Sequence, residues 1–205
     1  MTDFNERAKD WDSDPMKVER AHVVAEAIRT ALPLRSEMTA LEYGCGTGLL
    51  SFALQPDLGS ITLADTSQGM MDVLNKKINA TGVVNMCPLM LDLASDPLPT
   101  ERYHLIYSLM TLHHIHNTEN ILTKFHALLE SSGYLCIADL DKEDGSFHTE
   151  GTIDLHRGFD RLTLQKQVEA AGFGEIRFST AYEIKKKIGN TEKTFSIFLM
   201  IARKI

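Results

Sequence analysis

Residues 42–48 of this chain read Glu42-Tyr43-Gly44-Cys45-Gly46-Thr47-Gly48, an acid followed by glycine at every second position. Gly44 and Gly46 remove side chains where a backbone must turn sharply and come close to a ligand. A helix starting just after such a loop offers unpaired N–H groups to a polar group. Glu42 would repel a pyrophosphate but could hold an amine, which points to a ligand with an amino-acid-like, positively charged end. The dinucleotide fingerprint is G-x-G-x-x-G, and Leu49 stands where that pattern needs its third glycine. A tight strand–helix turn with no ligand is the plainer alternative.

Two carboxylates stand at comparable places downstream. Asp65 follows Ile61-Thr62-Leu63-Ala64, about twenty residues beyond Gly44, where a carboxylate can accept both hydroxyls of a ribose. Asp92 closes Pro88-Leu89-Met90-Leu91 and could accept from the exocyclic amine of an adenine, with Asp96 a nearby competitor. Either acid alone could equally cap a helix or a turn. Histidines supply candidates for proton transfer: His113 and His114 in Leu112-His113-His114-Ile115-His116, then His148 and His156. Adjacent histidines cannot point the same way on a helix or strand, so the first pair is a poor metal site and no metal is expected. Shaping a pocket, or lying solvated in a loop, is the competing reading for all four.

The elements that must carry these residues alternate. Helical spacing covers residues 16–32, with Pro15 in its first turn and Pro33 ending it. Strands are expected at 39–43, 61–64, 83–91, 103–108 and 134–138, and helices at 48–54, 68–80, 118–129 and 162–171. Gly133 breaks the helix before the fifth strand. Residues 176–182 and 194–202 form a last pair, with Gly189-Asn190 as the turn. That order predicts an α/β fold, a mainly parallel sheet covered by helices on both faces, whose ligands bind at the carboxyl ends of the strands.

Composition narrows the class. With 205 residues and no repeat or linker, one domain spanning 1–205 is expected, with residues 1–33 as a helical cap. The polar stretch 139–161 reads as a loop over the pocket. A net charge of -7 disfavours a nucleic-acid partner. The basic run Lys185-Lys186-Lys187 reads as a solvated edge or hairpin. Cys45, Cys87 and Cys136 read as buried reduced thiols, and no apolar stretch spans a bilayer, so a cytoplasmic protein without membrane contact is expected.

On these residues the chain resembles the class I S-adenosylmethionine-dependent methyltransferases, over nearly all of its length. Glu42 to Gly48 matches that family's E-x-G-x-G-x-G, Tyr103–Ser108 its strand-four motif, and Leu129–Ala138 its strand-five motif with the preceding L-x-x-x-G turn. The resemblance implies a Rossmann-like, seven-stranded sheet in the order 3-2-1-4-5-7-6, strand seven antiparallel. It implies S-adenosylmethionine as cofactor, S-adenosylhomocysteine as product, and the glycine loop along the methionine moiety. Asp65 then meets the ribose, Asp92 and Leu93 the adenine, and Met70 packs on the adenine face. Thr66 and Ser108 join the set by position, and Trp11 belongs to an N-terminal helix that closes over the cofactor. Many members carry L-H-H after strand four, and some small-molecule enzymes carry the H-x-G-F matched by His156, Gly158 and Phe159. His104 departs from the family, which commonly has Asp there. The implied activity is methyl transfer by in-line displacement to a small acceptor, by a monomer or homodimer. The alternatives are a cofactor-binding regulatory protein without turnover, or a protein or nucleic-acid methyltransferase. Against an amino-directed DNA enzyme stand the charge and the absence of an N/D-P-P-Y/F tetrapeptide.

Overall fold

Period-two alternation along the strands divides the core into two layers, one on each side of a single sheet. In β1 (Thr39–Tyr43), Ala40 faces one layer and Leu41 the other; Leu105 and Ile106 divide likewise in β4 (Tyr103–Leu109), and Cys136 and Ile137 in β5 (Leu129–Leu140). The first layer is covered by α2 (Pro15–Ala31), α3 (Leu49–Leu54) and α4 (Gln68–Thr81) through Val24, Ile28, Leu50, Leu54 and Leu74. The second is covered by α5 (Thr118–Leu128) and α6 (Arg161–Ala170) through Ile121, Phe125, Leu164 and Val168. These positions come from the computed structural model, which describes residues 4–147 and 156–205.

With β2 (Ser60–Asp65), β3 (Met86–Met90), β6 (Phe173–Ile188) and β7 (Thr191–Lys204), the sheet runs β3-β2-β1-β4-β5-β7-β6. Pairing is parallel from β3 to β5, and β7 is antiparallel to both its neighbours. The expected topology is therefore present. The order reverses at β1, so the strand ends β1, β2 and β4 open onto one crevice, the place where such sheets bind ligands.

Local differences have physical causes. The expected break at Gly133 is absent: α5 stops at Leu128, and β5 begins at Leu129, pairing with Tyr103 before a bulge. Ser132, at φ 63°, turns the backbone inside that bulge. The last two strands are longer than the alternation of 176–182 and 194–202 suggests, because their polar distal halves still pair across the Gly189-Asn190 turn. Cys87 is exposed, not buried, since β3 is the sheet's uncovered edge. In α2 the buried face is Arg20, Ala21, Val24, Ala25 and Ile28, and the apolar Val23 lies outside it. At His104, where the resemblance expects Asp, the ring Nδ1 accepts from the Thr39 backbone N–H at 3.1 Å, tying β4 to the start of β1.

The N-terminal segment folds back over the crevice. Helix α1 (Phe4–Arg7) and a 3-10 turn (Ala8–Ser13) sit against α4, where the Asn5 side-chain oxygen accepts from the Gly69 N–H at 2.8 Å and from the Ser67 hydroxyl at 2.9 Å. Lys77 on α4 completes the clasp, donating to Asp12 at 2.6 Å and to the Thr47 carbonyl at 2.9 Å.

Candidate active site

The crevice is a cavity of about 830 Å³, bounded by the glycine loop, the ends of β2 and β4, the N-terminal segment and β6. Of the residues singled out by sequence, it brings together Trp11, Glu42, Gly44, Gly46, Asp65, Thr66, Met70, Asp92, His113 and His114.

The two glycines that open the motif serve different ends. Gly44 has φ +71°, and a Cβ there would meet the Thr111 side chain at 2.2 to 2.8 Å. It is glycine so that the β1 turn can pack against the loop after β4. A Cβ on Gly46 would meet only Met70 Sδ at 3.8 Å, so its missing side chain leaves room in the cavity itself. Gly44→Ala is therefore expected to destabilise the fold by about 2–4 kcal/mol, the sum of left-handed strain and overpacking. A urea melt of the purified variant checks this; an unchanged midpoint would mean that Thr111 yields at no cost.

Asp65 organises the floor. Its Oδ2 accepts from the Gly46 N–H at 2.7 Å and its Oδ1 from the Ser67 N–H at 2.8 Å. A carboxylate offers about four lone-pair sites, so each oxygen keeps one for a further donor. Asp92 accepts within its own turn, from the Ala94 N–H and the Ser95 hydroxyl, each at 2.8 Å, while Asp96 accepts from the Asp92 N–H at 2.8 Å. The competitor seen in sequence thus caps the same turn rather than replacing Asp92.

Glu42 is 2% exposed. Burial pushes its carboxyl up to about 8, against the opposing hydrogen bond donated by the Ser51 hydroxyl. Ser51 in turn bonds the Tyr107 hydroxyl at 2.6 Å. Such a carboxyl is a latent anion, protonated until a cation is brought beside it. That fits a ligand with an ammonium group, and Gly46 with Asp65 fits its sugar.

The remaining histidines separate. His113 Nδ1 lies 2.6 Å from Asp139 Oδ1, with both side chains fully enclosed. Asp139 also accepts from the N–H groups of Leu112 at 2.8 Å, His113 at 3.3 Å and Leu140 at 2.7 Å. Burial would raise this carboxyl, but the His113 ring and these donors hold it below the usual range. His114 stacks edge-on with Phe4 at 5.4 Å, closing the pocket beneath the N-terminal segment. His156 is held outside the cavity: its N–H donates to the His113 carbonyl at 3.1 Å and its Nε2 bonds the Ile115 carbonyl at 2.9 Å. His148 lies outside the described residues.

Other expected contacts lie behind the wall. Gly48 starts α3, Ser108 is buried in β4, and Leu93 is fully buried, its N–H donating to the Tyr43 hydroxyl at 3.1 Å. The described parts of the 139–161 stretch pair as two arms, Lys142 N–H to the Phe159 carbonyl at 2.9 Å and Glu143 N–H to the Arg157 carbonyl at 3.0 Å, and present Phe147 to the cavity.

Sequence reasoning misses two wall residues. Arg20 sits on the buried face of an otherwise ordinary helix, and Lys186 reads in sequence as one member of a solvated run. Strand alternation turns Lys185 and Lys187 out and Lys186 in, over the Phe147 ring at 3.9 Å.

A family model described as a methyltransferase domain matches residues 16–177. An uncharacterised methyltransferase of Schizosaccharomyces pombe is 34% identical over 122 residues, covering 56% of this chain and 43% of that protein. A malonyl-[acyl-carrier protein] O-methyltransferase of Priestia megaterium is 28% identical over 135 residues, covering 64% and 47%. The chain thus spans less than half the length of these curated relatives. A SAM-dependent methyltransferase from Aquifex aeolicus superposes with a TM-score of 0.72 at 20% identity, over 98% of both chains, a likeness of fold.

Proposed function

The chain belongs to the methyltransferase-domain family, with the class I S-adenosylmethionine-dependent fold, and from that membership we propose that it methylates a small acceptor with S-adenosylmethionine. One observation carries this reading: a single cavity joins a donor end, Glu42, Gly46 and Asp65, to a buried His113–Asp139 pair. The N-terminal clasp over that cavity favours an acceptor that fits inside it, rather than a nucleic acid or a protein face.

S-adenosylmethionine, when bound, supplies a methyl group on a sulfonium sulfur open to in-line displacement. Glu42 and Asp65 hold such a molecule by its ammonium and its ribose hydroxyls, and Met70 walls the adenine side. Asp139 accepts from His113 Nδ1–H, which fixes the tautomer and leaves Nε2 as the basic nitrogen. His113 then takes the proton of an acceptor that must lose one as it is methylated. Phe147 and His114 keep bulk water from that end, so positioning does the remaining work.

Calorimetry distinguishes this reading from its rivals. The chain is expected to bind S-adenosylhomocysteine saturably and NAD not at all. Binding of NAD alone would make it a nicotinamide enzyme. Radiolabel from the donor should then pass into small acids, phenols or amines; tight binding with no transfer across such a panel would favour a regulatory protein.

A further inference from the structure

Among the described residues, three cations on the cavity wall, Arg7, Arg20 and Lys186, form no salt bridge. Arg20 on α2 is 9% exposed, and its Nε is buried without a hydrogen-bond partner among those residues. Lys186 on β6 faces the same cavity, donating to the Phe147 carbonyl at 2.9 Å, and neither residue forms a salt bridge among the described residues. Of the other cations nearby, Lys17 pairs with Asp14 at 3.2 Å, and Arg7 lies over the Trp11 ring at 5.2 Å, in the N-terminal segment, as Lys186 lies over Phe147 at 3.9 Å. The carboxylates facing this corner are already engaged. Asp14 also caps α2, Asp139 is taken by His113, and Glu19 accepts from the Tyr182 hydroxyl at 2.7 Å.

A buried guanidinium with no partner is costly, and a fold keeps one where a ligand compensates it. We infer that Arg20 and Lys186 form an anion subsite, and that the acceptor carries a carboxylate or a phosphate bound between them. This rests on the methyltransferase reading above, and adds the chemical class of acceptor. Burial, together with repulsion from Arg20, Arg7 and Lys17 that outweighs the pull of Asp14, lowers the Lys186 ammonium.

The donor's own carboxylate is the competing occupant. Two features place the subsite apart from it. The sheet order sets β6 at the far edge from β2, and the charges that act on Arg20 are Asp14 first, then Tyr182 and Asp139, and not Glu42 or Asp65. The donor also brings an ammonium and a sulfonium with its one carboxylate, so it adds no negative charge to offset two unpaired cations.

The test uses the full chain saturated with S-adenosylhomocysteine, with sodium chloride holding ionic strength constant. Inorganic phosphate and butyrate are titrated separately while Trp11, the sole tryptophan and part of the cavity wall, reports binding by fluorescence. At least one anion should bind saturably, and roughly tenfold to a hundredfold more weakly in both Arg20→Met and Lys186→Met. Saturation by phosphate alone assigns a phosphorylated acceptor, and by butyrate alone a carboxylate. If Arg20→Met fails to fold, Lys186→Met, at the partly exposed edge strand, decides alone. No saturation by either anion, or equal affinity in the variants, overturns the subsite. So does a tenfold loss of S-adenosylhomocysteine affinity in Arg20→Met, which would assign Arg20 to the donor. If the unaltered chain binds no S-adenosylhomocysteine, it is the methyltransferase reading that falls.

Discussion

Asp65→Ala is expected to lose roughly a hundredfold or more of the affinity for S-adenosylhomocysteine. Two hydroxyl donors on a charged acceptor are worth about 1.5–3 kcal/mol each, and both would go together. A second loss adds to this. The Gly46 and Ser67 N–H groups now bonded to Asp65 would be left without an acceptor, so the glycine loop itself would loosen. Asp65→Asn separates the two effects. It keeps one carbonyl oxygen for the loop but loses the charge and one acceptor, so its affinity should fall between wild type and Ala. Isothermal calorimetry on all three chains reads this order directly. Equal affinity in Asp65→Ala and wild type would remove the sugar from this end of the cavity, and with it the assigned donor site.

How much of this is legible in the sequence depends on whether a residue's role is local. Glu42, the glycines and Asp65 lie at strand ends, and a strand end followed by a turn can be read from a few neighbouring residues. The sheet order follows from alternation of strands and helices plus family resemblance. The histidines read as a cluster of candidates that the sequence alone does not rank. What separates His113 from His156 is a carboxylate 26 residues from His113 in one case and a backbone carbonyl in the other. Arg20 and Lys186 are harder still, being 166 residues apart by number and meaningful only as a pair across one cavity. Their neighbours point the wrong way: charges in α2 and a lysine run on an edge strand are usually solvated faces. Only the side-chain direction of each, set by tertiary packing, turns these two inwards.

Glu42 sets the pH dependence of the donor site, and its sign follows from the direction in which burial moves it. In the free chain its carboxyl titrates near 8, far above an ordinary glutamate, chiefly because it is buried. An ammonium group is held well only by the ionised form. At pH 6 a proton must leave before the pair can form, so S-adenosylhomocysteine affinity should climb by up to about tenfold per pH unit and flatten above pH 8. Proton release would show in calorimetry as a binding enthalpy that varies with the buffer's ionisation heat. The stability of the free chain runs the other way. Because the folded pKa is raised above the unfolded value near 4.5, Glu42's contribution is fully present below that value and is lost as pH rises through about 8. At about 1.4 kcal/mol for each pH unit separating the folded and unfolded values, the loss is on the order of a few kcal/mol. Ligand binding recovers it, so the melting temperature gained with S-adenosylhomocysteine should grow between pH 6 and 8. Glu42→Gln keeps an acceptor for Ser51 but cannot ionise: it should bind more weakly at pH 8 and lose both trends. A flat affinity profile from pH 6 to 8 in the unaltered chain would instead leave Glu42 as a neutral support for Ser51 and Tyr107, with the ammonium bound elsewhere.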